Sequence, residues 1–221
     1  MHYTLNAKDI RKTFKGPEPL EILKGVSLQV QAGTSVAILG KSGCGKSTLL
    51  HILGTLEPPT SGDLEICGKS ALSSLRNAHI GFIFQSFHLL EEYSLIDNIL
   101  MPAKIARKPT DSKSPACERA LDLLIQVDLL PKAHLPTKLL SGGEKQRAAI
   151  ARAFCNNPSI ILADEPTGNL DPVNAKTIQE LLLRCSQKHS KSLILVTHDD
   201  EFASLCDSKY VLKDGFLEPL A

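Results

Sequence analysis

Short apolar runs alternate with amphipathic stretches through most of this chain, and glycine, proline or polar clusters separate them. Ser35-Val36-Ala37-Ile38-Leu39, Ile80-Gly81-Phe82-Ile83-Phe84, Ser159-Ile160-Ile161-Leu162-Ala163 and Ser192-Leu193-Ile194-Leu195-Val196 are short, apolar and bounded, which predicts buried strands. Val26-Ser27-Leu28-Gln29-Val30 alternates instead, as a half-buried strand does. Leu64-Glu65-Ile66 follows the turn chemistry of Pro58-Pro59-Thr60-Ser61-Gly62-Asp63, so the first third is predicted to be β-rich. From about Ser86 to Asn157 the period changes. Leu95–Leu100 and Glu118–Leu124 carry helical spacing, and the polar, proline-bounded Lys108–Pro115 joins them. This predicts a helical region, 86–157, inserted into a core formed by 1–85 and 158–221. A helix over about Ala175–Lys188 lies before the last apolar strand. Strand–helix alternation of this kind predicts an α/β fold with a mostly parallel sheet and ligands at the strand C-termini.

The segment after the first buried strand is Gly40-Lys41-Ser42-Gly43-Cys44-Gly45-Lys46-Ser47, followed by the helical run Thr48–Leu53 that stops at Gly54. Strand, glycine loop and helix are the context of a phosphate-binding loop. Glycines let backbone N–H groups turn inward around an anion, and the helix start adds partial positive charge. Lys46 would reach the outer phosphates of a nucleotide, and the Ser47 hydroxyl would hold Mg²⁺. Asp164-Glu165 closes another apolar strand, and two adjacent carboxylates there are costly to desolvate unless a positive group is beside them. Asp164 would hold the metal through water, and Glu165 would polarise the attacking water. Leu140-Ser141-Gly142-Gly143-Glu144 carries Ser and Glu at capping-box spacing, so a helix is expected to begin there. A well-capped helix accounts for Ser141 and Glu144 but leaves the two glycines unexplained.

Bulk properties narrow the classes. A formal net charge of +1 gives no electrostatic footprint for nucleic acid, and with no Trp there is little aromatic surface for base stacking. The six cysteines are scattered, with no C-x-x-C and no zinc spacing, and read as reduced thiols of a cytoplasmic protein. Met1-His2-Tyr3-Thr4 shows no signal pattern, and no apolar run is long enough to cross a bilayer. Any membrane role is therefore expected to run through a partner.

Taken together, these motifs resemble the nucleotide-binding domain of ABC transporters over nearly the whole chain. Walker A corresponds to Gly40 through Ser47, Walker B to Ile160 through Asp164, and the family signature to Leu140-Ser141-Gly142-Gly143. Gln85 fits the Q-loop glutamine, Asn169-Leu170-Asp171 the D-loop and His198 the switch histidine. The resemblance implies a P-loop NTPase core with an N-terminal antiparallel β subdomain and an inserted helical subdomain, all within one nucleotide-binding domain, 1–221. It implies ATP and Mg²⁺ as ligands, with Ser47, Gln85 and Asp164 toward the metal. Glu165, His198 and Gln85 are the expected catalytic set. Gly40 to Ser47 and Thr48 are expected to hold the phosphates, and Phe14, ahead of the first strands, is the candidate for stacking on adenine, with Tyr3 near. The resemblance further implies a head-to-tail homodimer in which Ser141, Gly142, Gly143 and Glu144 of one copy, with the D-loop Asp171, meet the nucleotide of the other. Integral membrane permease subunits are the other implied partners, with the chain peripheral on the cytoplasmic face of the inner membrane.

Within the family the likeness is greatest to ATP-binding subunits of lipoprotein-releasing systems. It rests on Phe84–Leu90, Asp97–Pro102, Asn156-Asn157-Pro158 and Asp164–Asp171, and on the lack of an added C-terminal domain. A cell-division type that controls cell-wall hydrolases and a macrolide-export type share many of these motifs. Cys44 departs from the commoner Ser or Ala, and its thiol is expected beside the nucleotide, where alkylation would block binding. Ala32-Gly33-Thr34 and Glu91-Glu92-Tyr93 are two further departures, both outside the catalytic set.

Overall fold

The computed structural model describes residues 3–71 and 73–220. Met1 and His2, part of the N-terminal stretch read for a signal, lie outside the described residues. The chain opens with two long strands, β1 (Tyr3–Phe14) and β2 (Leu20–Gln31), followed by β3 (Ser35–Leu39) and α1 (Lys46–Leu53). Next come β4 (Ser61–Ile66), β5 (Lys69–Ser70), the short α2 (Arg76–His79) and β6 (Ile80–Ile83). Three helices follow: α3 (Leu95–Ile105), α4 (Pro115–Gln126) and α5 (Gly142–Phe154). The remainder is β7 (Ile160–Asp164), α6 (Pro172–Lys188), β8 (Ser192–Val196), α7 (Asp200–Ser204), β9 (Ser208–Lys213) and β10 (Phe216–Leu220).

Two sheets result. One is antiparallel, in the order β2-β1-β4-β5; the other runs β10-β9-β3-β8-β7-β6. In the second sheet every neighbouring pair is parallel except β9–β10. This is the α/β architecture of a P-loop NTPase. The central strands are buried on both faces, and their alternation divides the core in two. Ile161, Ala163, Leu193 and Leu195 face the layer built from α3 to α6. Ile160, Leu162, Ile194 and Val196 face α1 and the antiparallel sheet. Consecutive residues of one strand thus knit both layers to one sheet, and this fixes the strand ends that carry the site.

Helix starts follow their side chains. Ser94, Ser114 and Ser141 each accept a backbone N–H of the first turn of α3, α4 and α5, and Asp171 accepts two at the start of α6. Pro115 and Pro172 occupy first helical positions, where their missing N–H costs nothing. The helix expected over Leu95–Leu100 runs on through Pro102 to Ile105, with Asn77 and Asn156 both donating to the Pro102 carbonyl.

Candidate active site at the phosphate loop

β3 delivers the chain to Gly40, and α1 takes it away at Lys46. Between them Gly45 caps α1 with φ of 102° and no side-chain hydrogen bond, and the first turn holds no acidic residue. The first-turn N–H groups of α1 therefore have no acceptor among the described residues. Gly45 is needed on two counts. Its φ is left-handed, and a Cβ there would stand 2.5 Å from Ile22 Cγ2. Lys46 is buried, and its ammonium donates to the carbonyls of Gly40 at 2.8 Å and Lys41 at 3.0 Å. An ammonium has three donors, so the lysine is fixed across the loop with one proton to spare.

An open cleft of about 590 Å³ lies over this loop. Its floor is Ser42, Gly43, Gly45, Lys46, Ser47 and Thr48; its walls include Gln85, Glu165 and His198; Phe14 and Ile22 form its apolar end. Most of the expected catalytic and phosphate-binding residues are thus brought together. Phe14 is the last residue of β1 rather than a residue ahead of the strands, and the Lys12 ammonium lies 5.1 Å from its ring centroid. Tyr3 lies at the opposite end of β1 and lines a different groove with Gln29 and Tyr210, so of the two aromatics only Phe14 reaches the cleft. Ile22 was missed in the sequence because nothing in its own strand marks it. It reaches the cleft through the β1–β2 pairing.

Cys44 corrects the sequence expectation. Its side chain does not line this cleft but a second one of about 450 Å³, shared with Gly40, Lys41, Val211 and Leu212. The space left by Gly40's missing side chain takes the sulfur: a Cβ on Gly40 would sit 2.8 Å from Cys44 Sγ. Only the backbone of Cys44, whose N–H bonds the Lys41 carbonyl at 3.3 Å, belongs to the loop. Gly40 and Lys41 likewise contribute through their carbonyls, which hold Lys46.

Glu165 follows β7 with φ of 43°, an uncommon conformation for a residue with a side chain. Its N–H bonds the Val196 carbonyl at the end of β8. One carboxylate oxygen, Oε2, accepts from the ring Nδ1 of His198 at 2.9 Å and from its backbone N–H at 3.4 Å. A carboxylate only accepts, so Nδ1 carries the proton and Nε2 is left for another partner. Asp164, one residue earlier, differs: burial pushes its carboxyl up, Glu165 adds to this, and the Ser47 hydroxyl, His51 and Lys46 oppose it. Its Oδ1 is buried with no hydrogen-bond partner among the described residues. An orphaned carboxylate oxygen beside a serine hydroxyl is a hard oxygen set that suits Mg²⁺. Gln85 bonds Asn169 in both directions, side chain to side chain at 3.4 Å and Asn169 Nδ2 to its carbonyl at 3.0 Å.

Ser141, Gly142, Gly143 and Asp171 do not join this cleft. Ser141 and Glu144 close the start of α5 on each other, and the Glu144 carboxylate also takes the Lys132 ammonium at 2.5 Å. Asp171 caps α6 and receives the side-chain amide of Asn174. A Cβ on Gly143 would stand 3.0 Å from Asn174 Oδ1. Gly143 therefore has a packing reason within the chain, which the sequence did not reveal. Gly142, whose Cβ would meet only Leu170 Cδ2 at 3.8 Å, has none.

Known proteins resemble this chain closely. The ABC transporter family profile matches residues 23–168. The lipoprotein-releasing system ATP-binding protein LolD of Protochlamydia amoebophila (strain UWE25) is 55% identical, over 96% of this chain and 95% of that protein. The LolD of Treponema denticola is 44% identical over 95% of each. Among solved structures, the dimeric bacterial ABC transporter cassette MJ0796 matches with a TM-score of 0.87 and 36% identity, covering 98% of this chain and 99% of that one. A dimeric post-hydrolysis state of the same cassette, bound to ADP and Pi, matches with a TM-score of 0.85 at the same identity and coverage.

Proposed function

This chain belongs to the ABC transporter family, and we propose that it is the ATP-hydrolysing subunit of a system that releases lipoproteins from the inner membrane toward the outer membrane. The observation that carries the catalytic part is the Glu165 carboxylate, fixed by His198 and facing the same cleft as Lys46. Glu165 orients and polarises the water that attacks the terminal phosphate of ATP. With Nδ1–H given to Glu165, His198 offers Nε2 toward that phosphate. Lys46 and the first-turn N–H groups of α1 hold the charge, and preorganised donors of this kind stabilise what develops on the equatorial oxygens. Phe14 and Ile22 receive the adenine, Phe14 with one face near the Lys12 ammonium. Ser47 and Asp164, with Gln85 lining the same cleft as Ser47, would hold Mg²⁺, which would supply neutralisation of phosphate charge.

One copy provides half of the machinery. The Ser141-Gly142-Gly143 end of α5 and the Asp171 turn lie outside the cleft, and we assign them to the nucleotide of a second copy in a head-to-tail homodimer. The similar cassette MJ0796 is itself dimeric, which supports this reading. Residues 86–157 serve as the helical subdomain. No described helix is long and apolar enough to cross a membrane. We assign contact with the bilayer to permease subunits, with this chain on the cytoplasmic side. A cleft of about 470 Å³ bounded by Phe84, His88, Met101, Pro102 and Ile105 supports docking of such a partner next to Gln85.

Glu165→Gln removes the base while keeping the shape. Turnover with the membrane partners should fall by about 10²–10⁴-fold. Unchanged turnover would refute the role of Glu165. The same variant, held with ATP in membranes, should co-purify with permease subunits of lipoprotein release. Recovery of a division-type permease would overturn the cargo assignment.

A further inference from the structure

We infer that Lys132 is a positioning residue for the second half of the site: it neutralises Glu144 at the start of α5, so that the Gly142–Gly143 end can accept the terminal phosphate of ATP held by a second copy. This rests on the head-to-tail reading above.

The start of α5 has few donors to give. The Ser141 hydroxyl takes the Glu144 N–H at 3.4 Å, and Glu144 Oε2 takes the Ser141 N–H at 3.0 Å. That leaves the N–H groups of Gly142 and Gly143 as the donors of the first turn with no acceptor among the described residues. The same capping box puts a carboxylate within one turn of them. Alone, that carboxylate favours the helix and opposes any incoming anion. Only 17% of the Glu144 side chain is exposed, so water screens it poorly.

Lys132 resolves the conflict. It ends the short turn Leu130–Lys132, and its ammonium reaches Glu144 Oε1 at 2.5 Å while Oε2 stays on the cap. Glu144 thus keeps both duties with its charge balanced from a different segment. The Lys132 contact, followed by the Ser141 N–H, holds the Glu144 carboxyl below the usual range, so a proton does not balance the charge near neutrality. A glutamine at 144 would keep the bond to Ser141 and need no lysine.

Removing Lys132 should therefore weaken dimerisation by ATP without touching the nucleotide cleft of the same copy. The test uses the full chain carrying Glu165→Gln, with MgATP as the probe. Sedimentation measures the dimer, and dilute titration measures ATP binding by the single chain. Lys132→Met should weaken the ATP-bound dimer by about tenfold at low salt, and less at high salt. Single-chain ATP affinity should stay unchanged, and the melting temperature should fall by no more than about 2–4 °C, the size of one partly exposed ion pair. Lys132→Arg should behave as the parent, and adding Glu144→Gln to Lys132→Met should restore the dimer. A double variant as weak as Lys132→Met would overturn charge balance as the role of Lys132, as would an unaffected Lys132→Met dimer. Ser141→Arg separates this from the parent reading. If that bulky cation leaves the dimer intact, the head-to-tail assignment fails. If it abolishes the dimer while Lys132→Met has no effect, only the role of Lys132 fails.

Discussion

Two helices of this chain begin at glycines that can face an anion, and they solve the problem in opposite ways. α1 starts at a left-handed Gly45 with no capping side chain and no acid in its first turn. α5 starts at Ser141 with a full capping box, a glutamate and a lysine brought from another segment. The first end is open and is held by a glycine at positive φ. The second is closed by its own side chains and offers two glycine N–H groups. An open end capped by glycine gives up only about a few tenths of a kcal/mol of cap stability and keeps every donor for phosphate. A closed end is stable alone but needs its charge balanced before an anion can approach. That contrast is what one expects if ATP binds first to α1 and reaches α5 of a second copy afterwards.

The largest effect should come from closing the open end. Gly45→Val sets a branched side chain against Ile22 at a φ that valine resists, and the loop must shift. Strain of about 1–3 kcal/mol would lower ATP affinity by roughly 10–100-fold, as read by titration calorimetry with MgATP. Ser141→Ala at the closed end should leave single-chain affinity as it is. Equal losses in both would show that the two helix ends do not act separately.

The closed end can be dissected by its two glycines. Asn174 faces Gly143 and is tethered to Asp171 through its own amide, so it has little room to give way. Gly143→Ala should lower the melting temperature by about 2–4 °C, the size expected for ~1 kcal/mol in a chain of this length. Gly142→Ala, which meets only Leu170, should hold or raise it, since alanine favours a helix. The same sign in both would show that Asn174 yields.

How much of this was legible in the sequence differs by region. β3 and β8 were read to the residue, because strands buried on both faces appear as bounded apolar runs. β1 was not, since Lys8, Asp9, Arg11 and Lys12 interrupt its apolar side and register shifts break its alternation. The β9–β10 hairpin was missed too, with Pro219 inside β10 masking the strand. At the site, the glycine loop and the capping box declared themselves through spacing. The direction of Cys44 did not, because a loop that reverses at positive-φ glycines carries no period. The Lys132–Glu144 pair joins residues across a turn, and no local pattern signals it.

A smaller effect lies beside the open end. Asp164 has its folded pKa raised, mainly by burial. Between the ordinary and raised values the folded chain binds more protons than the unfolded one, so this group's contribution to stability falls as pH rises through that window. Asp164→Asn removes the buried charge and should raise the neutral-pH melting temperature by about 2 °C while hydrolysis is lost. The difference from the parent should shrink on acidification as Asp164 takes up its proton. A variant less stable than the parent at neutral pH would show that the carboxylate is held by contacts rather than strained by burial.

In the proposed dimer each site is built from the open end of one copy and the closed end of another. Mixing two defective chains, both carrying Glu165→Gln, probes that pairing. Lys46→Ala damages the open end, and Ser141→Arg damages the closed end. Sedimentation with MgATP should find monomers for either chain alone. The mixture should form a dimer, because one of its two composite sites is intact. A mixture as monomeric as its parts would rule out the head-to-tail pairing.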